Sequence, residues 1–274
     1  MKTPRTLILS GYGLNCDKET AYCCRLAGGN TVDVVHTSKI IRGEIQLKDY
    51  QFLIFIGGFL DGDDLGAGRV GANRFKYGIL QRTDLKLHDQ LIEFVEADKL
   101  ILGICNGFQV LVKLGLLPAT GNRHNIQEVS ITSNANNQFE NRWVHLKVNP
   151  NSHCIFTRGI PHLYLPVRHG EGRIEGDREE VLKNLLVRNQ VPLQYASPEN
   201  EVTERYPDNP NGSPWGIASM SNQKGNVMGL MPHPEAFHHF TNHPHWTRLT
   251  FQGENSEEGE GLSLFKNAYR YLND

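Results

Sequence analysis

The sequence has no long apolar run, few cysteines and little net charge. No stretch approaches the roughly 18 consecutive apolar residues of a membrane-spanning helix, and Gly11 and Gly13 interrupt the short apolar run near the start, so no signal peptide is expected. The five cysteines are odd in number and lack paired spacing, which favours a reducing compartment over a disulfide framework. A net charge of −2 gives no reason to expect binding to nucleic acid or to an anionic membrane. We therefore expect a cytoplasmic protein that has neither of these as a partner.

The sequence also lacks a nucleotide-binding loop. The Gly-x-x-x-x-Gly-Lys-Ser/Thr pattern that holds ATP phosphates does not occur. Gly11-Tyr12-Gly13 follows a predicted strand, but Cys16 stands in place of a third glycine. Residues 66–71 have the spacing of a dinucleotide-binding motif, yet they lie in a long Gly/Asp loop and not directly after a strand. No nucleotide cofactor is expected in this chain.

Strands and helices alternate through the first half of the chain. Predicted strands lie at residues 6–10, 31–36, 51–56 and 100–104, and predicted helices at residues 17–26, 85–97 and 106–115. This alternation predicts an α/β fold with a mostly parallel, doubly wound sheet flanked by helices. Ligands of such sheets bind beyond the carboxyl ends of the strands.

The second half of the chain has a different pattern. Short strand candidates separated by Gly, Pro and Asn turns lie at residues 127–132, 143–148, 164–167, 192–196, 215–220 and 227–231. They predict an added antiparallel section on the same core. A Gly/Glu-rich linker at 253–261 leads to a closing helix at 262–272. No internal repeat is present, and we expect a single domain spanning residues 1–274.

Cys105 lies where the predicted strand at 100–104 meets the helix that begins at Asn106. A nucleophile at a strand-to-helix turn is held at the end of the sheet, with the next backbone N–H directed at the reacting atom. Gly103 and Gly107, two residues before and after it, relieve crowding at such a turn. A lone buried cysteine is more often an inert small hydrophobe. The position therefore indicates a nucleophile only if a base is available.

His233 and Glu235 provide the candidate base and its orienting carboxylate. They follow the predicted strand at 227–231, and in an extended backbone residues two apart face the same side. Glu235 would accept a hydrogen bond from one imidazole nitrogen and leave the other facing Cys105. The resulting ion pair would favour the thiolate. The combination of strand, glycine-flanked cysteine and His-x-Glu predicts a catalytic triad.

An oxyanion formed during such chemistry needs two preorganised donors. The backbone N–H of Asn106 is one candidate. The turn Ile56-Gly57-Gly58-Phe59 follows the neighbouring strand, and glycine tolerates the backbone conformation that directs an N–H inward. We predict Gly58 as the second donor; the alternative is an ordinary strand-to-helix turn.

No metal is expected in this chain. Asp61-Gly62-Asp63-Asp64 is typical of a solvated loop. Histidines follow Glu235 closely, but their mixed spacing without cysteine partners argues against zinc and favours solvated or interface positions. These histidines are His238, His239, His243 and His245.

With these motifs the chain resembles the class I (triad) glutamine amidotransferases, which have a flavodoxin-like fold. Within them it looks most like the glutaminase subunits of phosphoribosylformylglycinamidine synthase. The matching segments run along nearly the whole chain: Gly13-Leu14-Asn15-Cys16-Asp17 with Glu19, Gly57-Gly58-Phe59 with Gly62-Asp63, Gly103-Ile104-Cys105-Asn106-Gly107-Phe108-Gln109, Phe139-Glu140 with Arg142-Trp143, His169-Gly170-Glu171-Gly172-Arg173, and Gly229-Leu230-Met231-Pro232-His233-Pro234-Glu235.

The resemblance implies a role for each candidate residue. Cys105 attacks the glutamine side-chain amide and forms a thioester, His233 protonates the departing ammonia and then activates water, and Glu235 orients His233. Gly58 and Asn106 resemble the oxyanion donors. The resemblance further implies glutamine-binding positions at Gln109, Gly170 and Glu171.

The resemblance also implies a partner. Ammonia would pass to a separate phosphoribosylformylglycinamidine synthetase subunit, in purine biosynthesis, that uses ATP and Mg²⁺. No cofactor is then expected in this chain. The family commonly has Ser-Tyr-Gly-Asp-Tyr-Leu-Arg where residues 60–66 read Leu-Asp-Gly-Asp-Asp-Leu-Gly. Alternative hypotheses are an amidotransferase that serves another synthase, a non-catalytic regulatory module on the same fold, and a cysteine peptidase on a related fold.

Overall fold

A computed structural model describes residues 3–81, 85–254 and 256–274. The predicted domain includes residues 1–2, 82–84 and 255, and the predicted linker includes residue 255. These six positions lie outside the described residues.

Six strands of the described residues form the central sheet. In chain order they are β1 (Arg5–Ser10), β2 (Thr31–His36), β3 (Phe52–Phe55), β4 (Leu100–Ile104), β10 (Ser219–Ser221) and β11 (Val227–Leu230). Their order across the sheet is β10-β11-β4-β3-β1-β2, and every pairing is parallel except that of β10 with β11. Every residue of β3, β4 and β11 is buried, which is why these strands are continuous apolar runs. The predicted mostly parallel sheet is confirmed.

Eight helices lie among these strands. They are α1 (Asp17–Leu26), α2 (Thr37–Ile41), α3 (Arg69–Tyr77), α4 (Leu87–Glu96), α5 (Asn106–Lys113), α6 (Glu179–Val187), α7 (Trp246–Phe251) and α8 (Leu262–Asn273) within the described ranges. The bounds predicted for α1, β2 and β4 coincide with those observed. The sequence pattern did not predict α2, α3, α6 or α7. Each has at most two buried hydrophobic residues and so little apolar periodicity.

The second half forms two small antiparallel sheets, as predicted. β5 (Val129–Ser133) pairs with β8 (Glu171–Gly176), and β6 (Glu140–Val148) lies between β7 (His162–His169) and β9 (Leu193–Ala196). The sequence Glu-Gly-Arg-Ile-Glu-Gly of β8 is too polar and glycine-rich to be predicted as a strand.

The strand predicted at 215–220 is mostly wrong. Pro214–Gly216 is a 3-10 turn in which Trp215 has φ 53°, and only Ser219–Ser221 pairs with β11. A strand cannot pass through a residue in the left-handed region, so the pairing begins later.

The strand order brings three predicted segments to one edge of the sheet. β3, β4 and β11 are neighbours that run in the same direction, so their carboxyl ends meet. Gly57 and Gly58 follow β3, Cys105 follows β4, and His233 follows β11. Over the described ranges, no helix is both long and apolar enough to cross a membrane.

Candidate active site

A cleft of about 470 Å³ opens at this edge of the sheet. It is lined by Asn15, Cys16, Glu19, Gly58, Phe59, Asp63, Ala67, Cys105, Gln109, Phe139, Arg168, His169, Gly170, Glu171 and His233. Six of the eight predicted site residues therefore face one cavity. The other two, Asn106 and Glu235, are buried directly beside Cys105 and His233.

Cys105 occupies a strained turn between β4 and α5. Its φ of 50° and ψ of −105° place it outside the regions that side-chain-bearing residues favour, as at other nucleophile turns. Its backbone N–H donates to Leu230 O at 2.8 Å, which joins the turn to β11. The predicted need for small neighbours is evident at Gly107, where a Cβ would lie 2.0 Å from Phe55 O.

His233 and Glu235 are hydrogen bonded. His233 Nδ1 lies 2.6 Å from Glu235 Oε1, and both side chains are almost fully buried. Because an ionised carboxylate only accepts, Nδ1 carries the proton in this pair and Nε2 is the other functional nitrogen. Nε2 has no hydrogen-bond partner within the described part of the chain, so it remains available for proton transfer.

The backbone around this pair differs from the prediction. Pro234–Ala236 is a 3-10 turn, so the predicted extended conformation is wrong after His233. The two side chains meet because the turn folds Glu235 back beneath the imidazole. The His233 N–H donates to Pro166 O at 2.8 Å, which fixes the start of the turn against β7.

Neighbouring charges determine the pKa of His233. Burial alone would lower the pKa of its imidazole, but the negative charges of Glu235 and of the Cys105 thiolate outweigh burial and raise that pKa well above its ordinary value of 6.5. The raised pKa favours an imidazolium beside the thiolate. Cys105 is 7% exposed, so a small substrate reaches it only through the cleft.

The backbone N–H groups of Gly58 and Asn106 have no hydrogen-bond partner in the described part of the chain. Phe59 N donates to Gly13 O at 2.8 Å and Asn15 N donates to Gly57 O at 3.1 Å; the Gly58 N–H between them has no partner among the residues that the structure describes. Gly58 has φ 127°, and a Cβ there would lie 2.6 Å from Gly13 O, so only glycine fits. Asn106 begins α5, where the backbone N–H has no partner within the helix.

The three predicted glutamine-binding positions all line the cleft, and hydrogen bonds link them to its other residues. Gln109 Nε2 donates to the backbone oxygen of Glu171 at 2.6 Å, and Gln109 Oε1 accepts from Asn106 Nδ2 at 3.0 Å. The Glu171 carboxylate accepts from Ala67 N at 3.1 Å. Gly170 precedes Glu171 in the same cleft wall. Hydrogen bonds thus connect α5, β8 and the loop before α3 around the substrate space.

Several polar residues of the cleft have no role predicted from sequence, among them Asp63, Cys16 and His169. Asp63 lies in the loop that is predicted to be solvated, and Cys16 and His169 stand in segments that carry the resemblance. Cys16 follows β1, Asp63 lies in the loop after β3, and His169 ends β7. A position near the end of a strand is the signal that could have identified them.

One group of metal-type ligands lies within 4.8 Å over the described ranges, and it consists of Cys16, His233 and Glu235. Two of its members are already hydrogen bonded to each other. The histidines at 238–245 form no such group among the described residues. Two of them pack on aromatic rings, His238 against Tyr22 and His243 against Trp143 and Tyr164.

Comparison with known proteins agrees with this geometry. Residues 3–272 match the family described as CobB/CobQ-like glutamine amidotransferase domains. The chain belongs to this glutamine amidotransferase family. The amidotransferase is 42% identical to the phosphoribosylformylglycinamidine synthase subunit PurQ of Dehalococcoides mccartyi, over 99% of this chain and 98% of the relative.

Two further comparisons extend over nearly the whole amidotransferase. It is 40% identical to subunit PurQ of Methanococcus maripaludis strain C5, over 98% of this chain and 99% of the relative. Its fold matches a chain of the structure of PurLQS from Thermotoga maritima with a TM-score of 0.68 and 28% identity, covering 98% of this chain and 99% of that one.

Proposed function

We propose that this amidotransferase hydrolyses glutamine and supplies the ammonia to a phosphoribosylformylglycinamidine synthetase subunit in de novo purine biosynthesis. The observation that carries the proposal is that Cys105, the His233–Glu235 pair and the backbone N–H groups of Gly58 and Asn106 lie together at one edge of the sheet, beside the cleft. The relatives named PurQ, matched along nearly their full length, support the choice of synthase.

The first half of the reaction forms a thioester. The Cys105 thiolate attacks the side-chain carbonyl carbon of glutamine, and the carbonyl electron pair moves onto oxygen. The N–H groups of Gly58 and Asn106 stabilise that oxyanion. His233 then donates its Nε2 proton to the amide nitrogen, the C–N bond breaks, and ammonia leaves.

The second half restores the enzyme. Neutral His233 removes a proton from water, which attacks the thioester carbon, and the same two N–H groups receive the second oxyanion. Cys105 leaves as the thiolate and glutamate is released. Glu235 holds the imidazole orientation through both halves. Gln109, Gly170 and Glu171 hold the rest of the glutamine molecule.

ATP and Mg²⁺ belong on the synthetase partner in this proposal. The sequence of the amidotransferase contains no phosphate loop, and its reaction needs only water and glutamine. We place the protein in the cytoplasm, where its five cysteines remain reduced. We also propose that the chain functions as one domain.

Ammonia release from glutamine, measured with and without the purified synthetase subunit, tests the proposal. We expect weak activity alone and clear stimulation by the partner. Cys105→Ala should lower the stimulated rate by about 10³-fold or more because no thioester can form. Cys154→Ala is the matched control, since Cys154 is buried outside the cleft.

A glutamine-analogue electrophile should add one stoichiometric mass increment, located at Cys105. Full glutamine hydrolysis by Cys105→Ala would rule out the mechanism. Stimulation by the synthetase of a different pathway, and none by this one, would reassign the partner. Absence of both hydrolysis and labelling would favour a non-catalytic module.

A further inference from the structure

His169 is a buried histidine of the cleft to which the mechanism above gives no role. It is the last residue of β7, it is one of the residues that line the cleft, and it is 3% exposed. Gly172 leaves room for the ring, because a Cβ at that position would lie 2.6 Å from His169 Nδ1. The ring is therefore held closely by the backbone of the adjoining strand.

The hydrogen bonds of Asn134 determine which ring nitrogen carries the proton. Asn134 Nδ2 donates to Gln138 O and to His169 O, both at 2.8 Å. Its two N–H groups are then used, so the atom facing His169 Nδ1 at 3.1 Å is the amide oxygen. An amide oxygen only accepts, so Nδ1 is the donor. In the neutral ring, Nε2 then presents a lone pair.

That lone pair has no hydrogen-bond partner among the residues that the structure describes. Buried polar atoms are nearly always paired, so an unpaired acceptor in a substrate cleft indicates a ligand donor. Burial, and then the charge of His233, lower the pKa of His169 to about 3. The ring therefore stays neutral and keeps its acceptor at any pH at which His233 transfers protons.

We propose that His169 Nε2 accepts a hydrogen bond from the leaving nitrogen of the glutamine amide. The inference rests on the proposed function. As the C–N bond breaks, its electron pair remains on nitrogen and the proton from His233 completes ammonia. Two N–H groups were already on that nitrogen and face away from His233, so they need an acceptor. The oxyanion donors hold the oxygen side of the amide, and His169 holds the nitrogen side.

Such an acceptor also explains how the cleft distinguishes the two ends of a carboxamide. Oxygen needs donors, which Gly58 and Asn106 provide, and nitrogen needs an acceptor. A more basic acceptor could take up the proton that the departing ammonia needs. Once protonated, it would also place a second positive charge beside His233. The low basicity of the buried ring avoids both outcomes.

Two substitutions separate this role from a structural one. His169→Asn retains a group at the Nδ1 position that can bond to Asn134 but loses the acceptor at Nε2. His169→Gln places an amide oxygen near Nε2 and loses the bond to Asn134. Rates are measured with the synthetase present, on glutamine and on the γ-methyl ester of glutamate. The ester releases methanol, whose single O–H faces His233, so it does not need the acceptor.

We expect His169→Asn to lower kcat on glutamine by about 10- to 100-fold, with a much smaller loss on the ester. His169→Gln should regain most of the glutamine rate. His145→Asn is the matched control, because His145 is half-buried beside Tyr164, outside the cleft. It should leave both rates unchanged.

Equal losses on glutamine and on the ester, with a normal wild-type rate, would overturn this inference alone. A loss in His169→Gln as large as that in His169→Asn would do the same, because it would assign the effect to the bond with Asn134. If the wild-type complex did not hydrolyse glutamine, the proposed function would fail and this inference with it.

Discussion

At the scale of single residues, the cleft contains two buried histidines in opposite electrostatic surroundings. His233 has a carboxylate on Nδ1, which raises its pKa, whereas His169 has a neutral amide on Nδ1 and burial lowers its pKa. One imidazole is thus suited to exchanging a proton and the other to remaining neutral. The partner on Nδ1 determines which task each ring can perform.

Replacing Glu235 by Gln tests the origin of the raised His233 pKa. An amide can still accept from Nδ1 but has no charge, so the pKa of His233 should fall below its wild-type value. The imidazolium that persists above pH 6.5 in the wild type should then be lost at lower pH. We expect kcat/KM to fall about 10²- to 10⁴-fold.

Alkylation of Cys105 by iodoacetamide, followed as a function of pH, tests whether the lowered His233 pKa reduces the reactivity of the thiol. Between about pH 6 and 8 the variant should react more slowly, because fewer imidazolium ions remain to support the thiolate. Glu260→Gln is the control, since this largely buried carboxylate accepts from Tyr164 N away from Cys105. An unchanged profile in Glu235→Gln would contradict the electrostatic account.

Single residues of the triad could be predicted from sequence, and His169 could not. Cys105 and His233 each follow an apolar strand, and strand ends of parallel sheets meet, so linear position alone is informative. The role of His169 depends on which atom of Asn134 faces it. That requires the hydrogen bonds of Gln138 and of His169 O, which no sequence spacing encodes.

At the scale of elements, the turn between β4 and α5 is possible only because its flanking residues lack side chains. A Cβ on Gly103 would lie 2.5 Å from Leu111 Cδ1 and 2.9 Å from Gly107 C, so β4 and α5 are in backbone contact here. The short distance between strand and helix holds Cys105 in its strained conformation.

Gly107→Ala should therefore be strongly destabilising. The added methyl group would meet the backbone oxygen of Phe55, which cannot move without disturbing β3, and we expect a loss of about 3 kcal/mol in the free energy of unfolding. Gly121→Ala is the control, because nothing lies within 4 Å and only its φ of 68° is unfavourable, which costs about 1 kcal/mol. Urea unfolding measures the free energy of unfolding of both variants. Equal losses in the two variants would contradict close packing at the turn between β4 and α5.

Elements with regular apolar periodicity were predicted well, and irregular ones were not. β4 and α5 were located because buried strands and amphipathic helices repeat their apolar residues. The 3-10 turn at Pro234–Ala236 and the polar strand β8 depend on neighbours distant in sequence, namely β7 and β5. Periodicity cannot reveal such tertiary support.

At the scale of the whole molecule, the closing helix joins the two halves of the chain. Asn267 Nδ2 donates to Phe156 O at 2.9 Å and to Arg158 O at 2.8 Å, and Tyr269 OH pairs with Thr6 Oγ1 of β1 at 2.5 Å. Helix α8 therefore binds the parallel sheet and the segment between β6 and β7 at once. This arrangement agrees with the one-domain prediction, which stays a prediction.

Asn267→Ala provides a test of that linkage. It removes the donor of the buried Phe156 carbonyl and of the carbonyl of the exposed Arg158, and we expect the free energy of unfolding to fall by about 1–3 kcal/mol. Unfolding followed by tryptophan fluorescence and by far-UV circular dichroism should remain one coincident transition in wild type and variant. Asn273→Ala, at the exposed end of α8, should change little. Two separated transitions would show that the halves are independent domains.

The hydrogen bond from Cys105 N to Leu230 O has a mechanical consequence. It continues the pairing of β4 with β11, the strands that precede Cys105 and His233. The thiol and the imidazole could therefore move apart along the strands only if the hydrogen bonds between β4 and β11 broke. The distance between nucleophile and base is thus fixed by the pairing of the two strands. The loops that line the rest of the cleft are not held by this pairing, so a change in those loops would alter the reaction space while the thiol and imidazole keep their alignment.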